Sequence, residues 1–160
     1  MIPSLKGRTP FQFAFVVPDL EDAARRFGVV GAGPWRGWLF GPQGLGREHR
    51  GKPADWTLRL ALTSGIPQYE LIEPVSGPSI HAEWLRDRGG GFHHVGYVVE
   101  SLDHTTAEME AAGYPAVARI HSFGADGDGE AAYFDTVEEL GFYVEAVVPP
   151  AQMPPVEFTL

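Results

Sequence analysis

Cysteine is absent from the 160-residue chain. That excludes disulfides, thiolate metal centres and a cysteine nucleophile, and it fits a reducing compartment. Basic side chains are scarce: 12 Lys and Arg stand against 21 Asp and Glu, for a formal net charge of −9. Such a field repels phosphates and argues against a nucleic-acid partner. No apolar run reaches the roughly 18 residues needed to cross a bilayer, so no membrane partner is expected. The opening stretch MIPSLKGRTP has no apolar core followed by a small-residue cleavage site, and a cytoplasmic location is the expectation.

What the chain does have is punctuation, with 20 Gly and 14 Pro. This pattern predicts many short strands joined by turns. It also has an internal repeat. FQFAFVVPDLE, residues 11–21, aligns with HHVGYVVESLD, residues 93–103. Phe15 meets Tyr97, Val16 and Val17 meet Val98 and Val99, and Leu20 meets Leu102. Both copies run from apolar strand to helix. Asp19 and Ser101 are placed as N-caps, where a side-chain oxygen accepts from first-turn amides. The helices are predicted over 20–27 and 102–112, the second stopped by Gly113.

A closing strand repeats as well: YELIEP, 69–74, matches VEAVVP, 144–149, with a glutamate near each start and a proline at each end. Between opening and closing strands lie further strand candidates at 35–40 and 55–63, and at 116–122 and 131–136. Each half thus reads β-α-β-β-β. The expected organisation is an N-terminal arm (1–10), a first module (11–75), a linker helix over 79–87 and Gly run (76–91), a second module (92–149) and a Pro-rich tail (150–160) lying extended on the surface.

Strand alternation assigns faces. Phe13, Phe15 and Val17 form a bulky side suited to the first helix, with Gln12, Ala14 and Val16 opposite. In the second copy Val95, Tyr97 and Val99 are the bulky side, opposite His94, Gly96 and Val98. His93 is expected on the helix-facing side with a structural role. Gln12 and His94 are therefore equivalent, each with a very small residue two places on, which leaves room for a ligand. Glu70 and Glu145 are equivalent on the closing strands. Unpaired buried carboxylates are costly, so either water or a cation must meet them. One imidazole, one amide oxygen and two carboxylates suit a divalent metal: Zn²⁺, Ni²⁺, Co²⁺ or Mn²⁺.

Taken in order and spacing, F-Q-F-A-F-V-V-P-D-L, Y-E-L-I-E-P, R-G-G-G-F-H-H-V-G-Y-V-V and F-D-T-V-E-E-L-G-F-Y-V-E resemble the vicinal oxygen chelate superfamily of glyoxalases, bleomycin-resistance proteins and dioxygenases. The junction most resembles methylmalonyl-CoA epimerase-like members, and the Gln-Glu-His-Glu set resembles one glyoxalase branch. The resemblance implies an α+β fold in which two βαβββ modules form a curled, cleft-containing mixed sheet. It implies a metal at the four positions Gln12, Glu70, His94 and Glu145, a small-molecule substrate, and a homodimer. Gln12 departs from the histidine that epimerase-like members carry there. It also removes a ligand that a two-histidine, one-carboxylate iron centre needs, which argues against dioxygenase chemistry.

The expected activity is that of a metal-dependent isomerase or lyase. It would abstract a proton next to a carbonyl of a small thioester or related substrate, with Glu145 as first candidate base and Glu70 as second. The alternative is a non-catalytic binding protein of the bleomycin-resistance type, with Trp35, Trp38, Phe40 and Trp56 lining an aromatic cleft. Tyr143 shares the face of Glu145, for packing or hydrogen bonding. Arg47, Arg50 and Lys52 are either phosphate anchors or a solvated loop. Arg59 faces either the cleft or solvent.

Overall fold

In the computed structural model, which describes residues 1–41 and 46–160, each half of the chain opens with the strand that the repeat predicts. In the first half β1 (Gln12–Val16) is followed by α1 (Leu20–Phe27), β2 (Trp35–Phe40), β3 (Gly46–His49), β4 (Lys52–Pro53), β5 (Thr57–Thr63) and β6 (Gln68–Ser76). The linker helix is α2 (Ile80–Arg88). The second half is β7 (Gly91–Val98), α3 (Leu102–Ala111), β8 (Ala116–Phe123), β9 (Gly129–Phe134), the short α4 (Val137–Leu140) and β10 (Tyr143–Val148), before β11 (Phe158–Thr159) in the tail.

Capping fixes where the helices begin. Asp19 accepts from Asp22 N at 2.7 Å, Ser79 from Ala82 N at 3.1 Å and Ser101 from His104 N at 3.2 Å. Glu73 adds a second acceptor for α1, at 2.8 Å from Leu20 N. Carboxylates in the first turn of α1 (Glu21, Asp22) and arginines in its last (Arg25, Arg26) match the sign of its dipole.

All eleven strands described form one curled mixed sheet in the order β11-β2-β5-β6-β1-β7-β10-β9-β8-β3-β4. The halves mirror each other about the antiparallel β1–β7 pair, each opening strand lying parallel to its own closing strand. Phe15 and Val17 lie on the convex face with Leu20, Ala23 and Ala24 of α1. Tyr97 and Val99 lie there with Leu102 and Met109 of α3. Ala14 and Val16 turn to the concave face, against Trp84 of α2, Trp56, Tyr133 and Tyr143. Phe134 is fully buried beneath α3, so Phe134→Ala should cost about 3–5 kcal/mol in urea unfolding; a loss under 1 kcal/mol would mean the sheet does not rest on this packing.

Two segments exchange sides. The hairpin β3–β4, from the first half, pairs with the outer strand β8 of the second, Arg47 opposite Ile120. The tail returns from the second half, and β11 pairs with β2 of the first. Of the basic segment, Arg47 is withdrawn from solvent and Arg50 is paired at the surface, while Lys52 stays exposed. The Arg47 side chain is fully buried, donates to the Trp56 carbonyl at 2.6 Å and to Asp55 at 3.2 Å, and lies over the Trp56 ring. Arg50 pairs with Glu83 at 2.7 Å. Arg59 ties β5 to Glu21 of α1 and to Glu73, away from the cleft. Among the described residues no helix is long and apolar enough to cross a membrane.

Candidate functional site

Ladder register places the site. Ala14 lies between Glu70 on β6 and His94 on β7, and Gly96 lies between Gln12 on β1 and Glu145 on β10. The two small residues thus sit at crossed positions about the β1–β7 seam. A Cβ on Gly96 would fall 3.1 Å from the Glu145 carboxylate and 3.2 Å from the Gln12 Cβ, so only glycine admits both side chains on this face.

Of the four residues expected at the site, three converge. His94 Nε2 lies 3.3 Å from Glu145 Oε2 and 3.4 Å from Glu70 Oε2. The imidazole has no exposed surface, and both glutamates are buried while lining a cavity of about 420 Å³. Gln12 lines the same cavity, and its amide nitrogen donates to Gln68 Oε1 at 2.8 Å, which leaves its carbonyl oxygen as the free end. Although close as ions, His94 Nε2 and Glu145 Oε2 have no hydrogen-bond partner. They crowd a common point without being aligned on each other. This donor set fits a divalent cation: two carboxylates balance its charge, and the orphaned nitrogen supplies a neutral ligand.

Without an ion the charges are strained by burial. Desolvation alone would discharge His94, but Glu145 and Glu70 outweigh it and raise its pKa to about 9. Burial pushes the Glu70 carboxyl above its ordinary range; His94 opposes this and Glu145 reinforces it. Tyr133, opposite Glu145 on β9, keeps its proton well above the usual tyrosine range, through burial and then the two carboxylates.

His93 is placed differently from its expected side. Ala14 pairs with His94 and Phe15 with Phe92, so His93 is an unpaired β-bulge residue. The extra residue breaks the two-residue alternation and turns His93 onto the concave side. It is fully buried there, against Trp84 and His81 of α2 and Tyr143. Its Nδ1 is 2.9 Å from Nδ1 of His94.

His81, Tyr133 and Gln68 escaped the sequence reading. His81 lies one turn before Trp84 in the linker helix, and ring nitrogens of His81, His93 and His94 all lie within 4.8 Å of one another. The His81 and His93 rings stack at 4.7 Å and 30°, so their in-plane lone pairs run side by side and do not converge on one ion. Burial, then His94 and His49, lowers the His81 pKa to about 3. The expected aromatic cleft divides by alternation: Trp38 and Phe40 line the cavity, Trp35 packs under α1, and Trp56 is core. Tyr143 packs on Trp84 and His93.

A paired βαβββ sheet with a buried polar cluster at its seam defines a class of duplicated α+β folds. A family model for the glyoxalase/bleomycin resistance protein/dioxygenase superfamily matches residues 11–134, and the chain belongs to that superfamily. Its fold is similar to a hypothetical protein from Bacillus halodurans, at TM-score 0.64 and 19% identity, covering 93% of this chain and 99% of that one. It is also similar to methylmalonyl-CoA epimerase from Mycobacterium tuberculosis, at TM-score 0.58 and 19% identity over 94% and 93% of the two chains. A methylmalonyl-CoA epimerase in complex with methylmalonyl-CoA and NH4+ gives TM-score 0.63 and 16% identity over 92% and 99%. No curated protein sequence matches the chain significantly.

Proposed function

We propose that this chain is a divalent-metal isomerase or lyase that moves a proton on the carbon next to a carbonyl. The observation that carries this is the His94–Glu70–Glu145 contact, made from two symmetry-matched strand pairs and bordering an apolar cavity. Gln12, Glu70, His94 and Glu145 would hold the ion, which when bound supplies Lewis-acid polarisation of a carbonyl oxygen. Glu145 is the base that removes the α-proton through its carboxylate. Glu70, from the other half, takes up a proton from solvent and returns it to the opposite side of the carbon, as an epimerase-type reaction needs. The methylmalonyl-CoA epimerase neighbours support this reaction type.

His93 positions His94. For His94 to present a lone pair at Nε2 its proton must sit on Nδ1, where His93 Nδ1 accepts it at 2.9 Å. His93→Phe keeps an aromatic ring but removes the acceptor. It should weaken Co²⁺ binding by about 10–100-fold, and the His94 tautomer signal in nitrogen-15 NMR should become mixed. Unchanged Co²⁺ affinity removes His93 from this role.

The test of the function has two arms. Protein reloaded with Zn²⁺, Ni²⁺, Co²⁺ or Mn²⁺ should retain about one equivalent in elemental analysis. In D₂O it should wash deuterium into the α-carbon of methylmalonyl-CoA or of a neutral α-hydroxyketone. Retention of none of the ions, with no exchange into either compound, overturns the reading. A second reading, ligand sequestration without turnover, is favoured by the apolar walls built by Trp38, Phe40 and Phe123. It predicts tight ligand binding with no exchange.

A further inference from the structure

The cavity beside the glutamates has walls of one character. Trp38, Phe40, Leu60, Ile120, Phe123 and Met153 face it, with Gln12, Gln68, His81, Tyr133 and the glutamates as polar exceptions. No lysine or arginine lines it among the described residues. Residues 42–45, Pro-Gln-Gly-Leu, carry no charge either. Three arginines of the first half are engaged elsewhere: Arg47 lies buried against Trp56 and Asp55, Arg50 pairs with Glu83, and Arg59 pairs with Glu21 and Glu73 on the convex side.

The tail completes this compartment. Leaving β10 at the second half, the chain passes Pro149, Pro150, Met153, Pro154 and Glu157 along the cavity before joining the first half as β11. It is anchored on both sides. Ala125 N donates to the Gln152 carbonyl at 2.8 Å and Ala151 N to Asp128 at 3.0 Å. On the other side Trp38 Nε1 donates to the Pro154 carbonyl at 3.0 Å. Phe158 occupies the space over Gly37, where a Cβ would meet its ring at 2.0 Å.

We propose that this cleft selects an uncharged, largely apolar carbonyl compound over an anionic one, and in particular over an acyl-CoA. The selection rests on the metal reading above, since the charge count includes the ion. A dication is cancelled by Glu70 and Glu145, which leaves no net positive charge to attract a carboxylate or phosphate. Glu157, on the tail, adds a repelling carboxylate, and removing a carboxylate's hydration without a cationic partner is strongly unfavourable. Apolar surface on a neutral ligand meets the opposite situation, because each wall residue gains by excluding water.

A matched pair of probes tests this on the Zn²⁺-loaded full chain: neutral 1-phenylpropane-1,2-dione and anionic phenylglyoxylate, which share an aryl dicarbonyl core. Calorimetry should give the dione at least tenfold tighter binding, and propionyl-CoA should not displace it. Glu157→Lys, at an exposed position whose carboxylate accepts from Leu39 N at 3.2 Å, should narrow the gap several-fold. Equal or tighter binding of phenylglyoxylate, displacement by propionyl-CoA, or no binding of the dione at millimolar concentration overturns the proposal. The readout is binding, so it separates from the reaction itself. Exchange into methylmalonyl-CoA would keep the proton-transfer reading and sink this one, whereas dione selectivity without any exchange would do the reverse.

Discussion

Glu145→Gln will slow α-proton exchange by about 10²–10⁴-fold while the protein remains folded. Glutamine has nearly the same shape, so the Gly96 notch that admits the side chain is filled as before. Its amide oxygen can still donate a lone pair, but the group has lost its basicity and one negative charge. The loss should therefore fall on kcat more than on KM, with weaker metal retention alongside. Metal-free thermal stability should fall at pH values below about 9, because Glu145 is the principal carboxylate holding a charged, buried His94. Glu70→Gln supplies the comparison. A larger loss there reverses the assigned roles, and full activity in Glu145→Gln removes Glu145 from the chemistry. Glu48→Gln, on the exchanged hairpin and paired with His121, should leave exchange unchanged.

The duplication was legible because it is written in local pattern. Gln12 and His94 occupy the same place in two strand–helix copies, and Glu70 and Glu145 the same place in two closing strands. Helix starts at Asp19, Ser79 and Ser101 follow from side chains that accept from the next turn. What was not legible depends on partners distant in sequence. The bulge at His93 exists only because β1 and β7 run antiparallel with one residue to spare, and no alternation within 91–98 announces it. His81 reaches the cluster because α2 enters the concave side of a sheet that must first curl.

Charge patterning misled for a related reason. Arg47, Arg50 and Lys52 read as a loop because nothing local shows that β8 offers a free edge for them. The tail read as surface for want of its partner β2. Both crossings matter to the site, since one holds Arg47 and Arg50 in pairs outside the cleft and the other adds its apolar outer wall. Duplication produced the matched positions of Gln12, Glu70, His94 and Glu145, and the asymmetric additions shape the cavity beside them.

In metal-stripped protein, folding stability will fall as pH rises from 6.5 to about 9, and His94→Gln will remove the His94 share of that fall. The folded protein holds a proton on His94 more tightly than the unfolded chain does, because Glu145 and Glu70 offset the burial of the ring. A raised pKa contributes stability fully below the unfolded value of 6.5 and loses it as pH passes the folded value of about 9. The span corresponds to about 3 kcal/mol, a large part of the stability of a domain this size. His81 acts in the opposite direction. Its pKa of about 3 means the folded state must keep it neutral, so stability also falls as pH drops below 6.5, whatever residue stands at position 94. Wild type should thus lose stability more steeply than the variant as pH rises from 6.5 to about 9, while both share the acidic loss from His81. Urea titrations across pH 5–10 read both arms. Wild-type and variant curves that stay parallel from pH 6.5 to 9 would show that the two carboxylates do not hold a charged His94 between them.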